Sequence, residues 1–272
     1  MPRFAANLTM MFNEVPFLDR FAAAADAGFE AVEFLFPYDH TPDVIADCLQ
    51  KAGLLQVLFN LPPGDWAAGD RGLAALPHRK DEFRQSVSTA LDYARATGVP
   101  NLHMMAGIAS PQDPLAVAAY LDALRFAADA VGEAGIGLLV EPINGRDMPG
   151  YFLNDFNRAS DFIHELAHPA LRLQFDIYHR QIMHGDVLKG LEAMMPVIGH
   201  VQVAAVPKRH EPGTGELDDF HIFEALDALD YAGWVGCEYR PEAATLDGLG
   251  WMQRAVPQSP DKIVVRSRSS TF

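Results

Sequence analysis

Residues 137–144 read GLLVEPIN. A glycine and three aliphatic residues make a run too short for a helix and suited to a buried strand. The run ends on a carboxylate, Glu141. A buried acid is costly unless it is neutralised, paired or bound to a cation. The question it poses is therefore what lies opposite Glu141.

The same texture recurs downstream. LRLQFDIYH (171–179), HVQVA (200–204) and WVGCEYR (234–240) are short, β-branched or aromatic, and each carries an oxygen-bearing side chain towards its end. Upstream, RFAANLTMMF (3–12), AVEFLF (31–36), LQVLFN (55–60) and NLHMMAG (101–107) complete a set of eight strand candidates. Helical spacing fills the intervals. In PFLDRFAAAADAG, Phe17, Phe21 and Ala24 or Ala25 share one face, and in EFRQSVSTALDYARATG so do Phe83, Val87, Leu91 and Ala94. Gly28, Gly53, Gly98, Gly135 and Gly233 stand where left-handed helix caps are expected.

Strict alternation of strand and helix predicts a parallel sheet, and eight units in 272 residues predict an α/β fold of the (β/α)8 TIM barrel type in a single domain. A doubly wound open sheet is the competitor, but FAANLTMMFNE holds no glycine-rich turn for a dinucleotide. The barrel is expected over residues 1–256. The polar, basic PQSPDKIVVRSRSSTF, residues 257–272, is expected as a tail outside it.

Bulk properties narrow the function. With 36 acids against 21 bases the chain carries −15, which disfavours nucleic acid as a partner. No apolar run reaches the length of a membrane span, and MPRFAANLTMMF lacks the form of a signal peptide. Two cysteines, Cys48 and Cys237, without metal-type spacing, suggest reduced, small hydrophobes in a cytoplasmic protein.

Barrel active sites form at the C-terminal ends of the strands. There lie Glu141, Asp176, Gln202 and Glu238, separated by 35, 26 and 36 residues, about one strand–helix unit each. Three carboxylates and an amide oxygen form a hard ligand set, suited to a divalent cation such as Mg²⁺ or Mn²⁺. His179, three residues past Asp176, is placed to face the same mouth. His200 sits deeper on the strand of Gln202, and His103 reads as a core histidine with satisfied bonds. No Ser-centred elbow or zinc-protease helix motif is present.

These words resemble a known family. FAANLTMMF, VEFLFPYDH, PPGDWAAGDRG, VEPIN, FDIYH, HEPGTGE and GCEYRP, from about residue 2 to residue 252, are similar to the hydroxypyruvate isomerase family of the xylose isomerase-like barrels. The resemblance implies a metal-dependent enzyme that interconverts small hydroxy-oxo acids, with Glu141 and Glu238 as the catalytic glutamate pair and Asp176 and Gln202 completing the metal set. It also implies a homo-oligomer. Related sugar epimerases carry histidine where this chain has Gln202, which leaves the preferred metal open. Two branches remain open as well. VEPIN and HEPGTGE look like enzymes acting on hydroxypyruvate and tartronate semialdehyde, whereas MPRFAANLTMMFNEVPF and AAVPKRHEP lean to those acting on 2-oxotetronate and 3-oxotetronate.

Such substrates place a carbonyl beside a carbinol carbon and a carboxylate. Two glutamates and a cation suit proton transfer through an enediolate. A cationic partner for the substrate carboxylate is expected among Arg71, Lys208, Arg209 and Arg240. The glycine-rich loop bearing Trp66 is expected to cover the pocket. The alternative function is a ketose 3-epimerase on the same barrel and metal site, whose neutral substrate would not need those cations.

Overall fold

The computed structural model describes residues 2–255; the expected tail at 257–272 lies outside them. Eight strands appear where the eight apolar runs predict them: β1 (Arg3–Asn7), β2 (Ala31–Glu33), β3 (Leu55–Asn60), β4 (Asn101–His103), β5 (Gly137–Val140), β6 (Leu171–Asp176), β7 (Ile198–Val203) and β8 (Trp234–Cys237). Each pairs in parallel with its sequence neighbour and β8 returns to β1, closing the barrel. The expected TIM barrel is therefore present.

The principal helices between strands are α1 (Arg20–Asp26), α2 (Pro42–Ala52), α3 (Lys80–Thr97), α4 (Pro114–Glu133), α5 (Phe156–Leu166), α6 (Ile177–Met183), α7 (Val187–Met194) and α8 (Asp219–Ala228). The apolar stripe of α3 does what its spacing predicts, because Phe83, Val87, Leu91 and Ala94 are all buried. Gly53 and Gly98 take left-handed φ as the caps of α2 and α3. Gly233 does not serve this purpose. After α8 the left-handed residue is Asp230, and Gly233 instead leaves room for the Tyr231 hydroxyl, which a Cβ there would meet at 2.4 Å. Cys237 is fully buried as expected, and Cys48 only half-buried. Among the described residues, no helix is long and apolar enough to cross a membrane.

Branched aliphatic side chains usually fill the inside of such a barrel. Here Glu33, Gln56, His103, Gln174, His200 and Gln202, all on strands, are buried instead. Glu33 is the hub. Its Oε1 accepts from Asn7 Nδ2 at 2.9 Å and from Gln202 Nε2 at 2.7 Å, while Oε2 lies 2.7 Å from His200 Nε2. The register places Asn7 beside Glu33, Gln174 beside His200 and Asp176 beside Gln202, which stacks this polar layer under the strand ends.

Candidate active site

Glu141 directly follows β5, Asp176 ends β6 and Glu238 directly follows β8, so three loops start from one rim with a carboxylate each. One oxygen from each, together with a ring nitrogen of His179 in the first turn of α6, lie within 4.8 Å of one another. All four side chains are buried. Asp176 also accepts the Tyr178 backbone N–H at 2.8 Å and so caps α6, which points the following His179 into the same space. Gln202 adjoins Asp176 in register. Its Oε1 accepts from Gln174 Nε2 at 2.6 Å, and its Nε2 is held by Glu33.

Burial raises all three rim carboxyls. Burial, and then the Glu238 and Asp176 charges, lift Glu141 well above the usual range. Burial pushes Glu238 up to about 8 against the pull of Arg209. Asp176 is raised by burial too, although Arg209 and the Tyr178 and His179 backbone N–H groups oppose it. Burial, and next the Arg209 charge, drive His179 well below its ordinary value, so the ring is neutral.

Arg209 is the counter-charge. Its Nη2 bonds Glu238 Oε2 and stands 3.5 Å from Asp176 Oδ2, and its Nη1 is 3.7 Å from Asp147. The surrounding acids outweigh the cost of burial and raise its pKa further. The residue sits at φ 59°, a left-handed conformation costly for any residue with a side chain. Hydrogen bonds from its N–H to Ala205 O and from Arg240 N–H to its own carbonyl, both 2.8 Å, hold it there.

A cavity of about 1040 Å³ opens above the acids. All the cationic residues expected there line it, together with Trp66 and His179. They are not equivalent. Arg209 alone reaches the acids, whereas Lys208 and Arg240 are exposed at the rim. Arg71 stacks on Trp66 with its guanidinium carbon 3.8 Å from the ring centre, and Trp66 in turn lies 5.3 Å from Phe36. Asp70 fastens this loop through a 2.6 Å ion pair to Arg79.

Several residues went unforeseen. Asn144 binds the His179 ring, Asp147 faces Arg209, and Glu33 organises the layer below. Glu33 carried a legible signal, an acid inside the apolar AVEFLF, which is the same anomaly that singled out Glu141. The expectation of a satisfied His103 fails. Neither of its ring nitrogens has a hydrogen-bond partner, its Nε2 is 3.7 Å from Glu141, and burial lowers it to about 3.

The donor set suits a divalent cation. Three buried carboxylates converge, and Glu141 Oε1 is buried without a hydrogen-bond partner, an arrangement that a hard cation would relieve.

Fold and site together define an α/β barrel with a cluster of acids at its mouth that could hold a metal ion, and a family model described as Xylose isomerase-like TIM barrel matches residues 21–255. The chain belongs to that family. Within it, the chain is 53% identical to the 2-oxo-tetronate isomerase of Cupriavidus necator, over 93% of this chain and 98% of the relative. It is 43% identical to the hydroxypyruvate isomerase of Escherichia coli, again over 93% and 98%. The expected kinship with this group of isomerases is thus borne out. A crystal structure from Brucella melitensis described as AP endonuclease, family 2, superposes with a TM-score of 0.92 at 50% identity, covering 93% of this chain and 99% of that one. A D-allulose 3-epimerase from Methylomonas sp., at 20% identity and a TM-score of 0.75 over 94% and 99%, shares the fold alone.

Proposed function

We propose that this isomerase interconverts 2-oxo-tetronate and 3-oxo-tetronate by proton transfer, with Glu141 and Glu238 as the acid–base pair. The observation that carries the reading is the approach of these two carboxylates, from the ends of β5 and β8, to within 4.8 Å around one small volume. The higher identity to the 2-oxo-tetronate isomerase supports the four-carbon acid over hydroxypyruvate.

Glu141, Asp176 and Glu238 would hold a Mg²⁺ or Mn²⁺ ion, with Gln202 Oε1 contributing its second lone pair. Such an ion supplies positive charge beside the substrate oxygens while negative charge develops on them. One glutamate takes the proton from the carbinol carbon, the other delivers a proton to the former carbonyl carbon, and the hydroxyl proton passes from the carbinol oxygen to the former carbonyl oxygen. Burial raises the Glu238 carboxyl, and a cation bound beside it would pull it back down, so the two together set its acid–base strength. Arg209 balances the acids and lies within reach of a substrate carboxylate. Arg71 and Trp66 line the cavity from the loop after β3.

A nuclease, as the Brucella protein is described, needs a basic face to neutralise phosphates. With 36 acids against 21 bases, this chain favours the small acid.

The test is an isomerase assay on metal-stripped protein in deuterated water, with Mg²⁺ or Mn²⁺ restored. 2-Oxo-tetronate should turn over faster than hydroxypyruvate and take up deuterium. Glu141→Gln and Glu238→Gln should each lower kcat by about 10²–10⁴. Undiminished turnover in either variant, or in the stripped protein, would sink the proposal.

A further inference from the structure

Asn144 is fully buried, in the loop after β5, and its hydrogen bonds leave its side chain only one orientation. Its Oδ1 accepts the backbone N–H groups of Arg146 and Asp147, both at 2.9 Å. Backbone N–H groups only donate, so this side of the amide is its oxygen. The amide nitrogen consequently faces Nδ1 of His179 at 2.7 Å, and its other hydrogen reaches Asp147 Oδ2 at 3.1 Å. The Asn144 backbone N–H also points to Nδ1, at 3.4 Å. A ring nitrogen that receives two donors must present a lone pair, and a neutral imidazole with Nδ1 bare carries its proton on Nε2.

That proton is unspent. Nε2 stands 3.7 Å from Glu141 Oε1 and 3.6 Å from Asp176 Oδ2, beyond a good hydrogen bond to either. The arrangement reverses that of a metal-ligating histidine, which donates from its second nitrogen to an acceptor and so frees the first to bind the metal.

We propose that Asn144 is a positioning residue that locks His179 as its Nε2–H tautomer, making the ring a hydrogen-bond donor to the cavity and excluding it from the metal set. His179 is near enough to the three acids to complete a mixed nitrogen–oxygen site. Imidazole nitrogen would shift such a site towards zinc, cobalt or nickel. The lock keeps the ligands all oxygen, as suits Mg²⁺ or Mn²⁺, and offers the proton to a carbonyl or oxyanion of the bound molecule. Only the exclusion from the metal set rests on the function proposed above; the tautomer does not.

The experiment reads the tautomer directly. The full chain, labelled with ¹⁵N in its histidine rings and free of metal and substrate, is examined by long-range ¹H–¹⁵N correlation. His179→Gln identifies the His179 signals by their loss. The expected wild-type pattern is a protonated Nε2 and a bare Nδ1. Asn144→Asp keeps both backbone bonds but turns the donating NH₂ into an accepting oxygen, and a proton should appear on Nδ1. A wild-type ring protonated on Nδ1 overturns the proposal even if the variant does not fold, and so does a folded variant whose ring is unchanged. Zn²⁺ is then titrated into the wild type. Retention of the Nε2 proton is expected, and its loss to the metal would overturn the exclusion. Failure of Zn²⁺ to bind at all would count against the metal site, while the tautomer result would stand.

Discussion

Replacing Gly236 with alanine tests the polar layer under the site. A Cβ at this position would lie 2.2 Å from Glu33 Oε2 and 2.4 Å from its carboxyl carbon. Gly236 is in the middle of β8, paired to β1 and β7 on either side, so its backbone cannot withdraw. The Glu33 carboxylate must therefore move by roughly 1 Å, which stretches bonds of 2.7 to 2.9 Å past the hydrogen-bonding limit. Three buried bonds at about 1–2 kcal/mol each put the cost at about 3–6 kcal/mol. Domains of this kind are stable by about 5–15 kcal/mol, so the loss is large but measurable. Urea denaturation of both proteins gives the difference. Glu33→Ala is the companion variant, because it removes the same bonds and also the clash. Adding Gly236→Ala to it should cost little more. A loss below about 1 kcal/mol in the single glycine variant, or full additivity in the double one, would refute the argument.

Asp219, at the start of α8, accepts the Gly213 N–H on one oxygen while the other has no partner, and burial pushes it up to about 6. A carboxyl whose pKa rises on folding favours the folded state at low pH, below about 4, and that benefit disappears as pH rises through about 6. Asp219→Asn should flatten the profile and gain about 2–3 kcal/mol at pH 8 but nothing at pH 4, as measured by denaturation at each pH. Trp66→Ala removes the stacking surface of Arg71, a contact worth about 0.5–2 kcal/mol. KM should rise by about 2- to 30-fold with kcat less affected, and steady-state kinetics with unchanged KM would make the loop a plain structural one.

The architecture was legible because burial on both faces writes parallel strands as short apolar runs, and eight of them could be counted. The rim acids were legible for a related reason. A carboxylate at the end of such a run, as in GLLVE and LQFD, contradicts its surroundings and demands a partner. Arg209 was one of four interchangeable candidates, because nothing local distinguishes it from Lys208. Its selection depends on a left-handed backbone and on bonds to Ala205 and Arg240, which only the closed barrel brings together. Asn144 was invisible as a functional residue for the same reason. It sits in a loop where asparagine is ordinary, and its role comes from backbone groups two and three residues ahead and a ring 35 residues away.

Asp176 has two employers. Its carboxylate belongs to the rim cluster, and the same group starts α6 by accepting the Tyr178 N–H. Asparagine or serine would cap that helix about as well as aspartate, whereas alanine would forfeit about 1 kcal/mol. The position therefore has a narrow neutral path. A descendant barrel that gave up its chemistry could drift at Glu141, whose Oε1 is buried without a partner, with few consequences for folding, yet at 176 it would keep a small polar side chain. For the same reason a comparison of Asp176→Asn with Asp176→Ala separates the charge used at the rim from the bond used by the helix. A dead enzyme of this kind would still carry the imprint of its ancestor at that one residue.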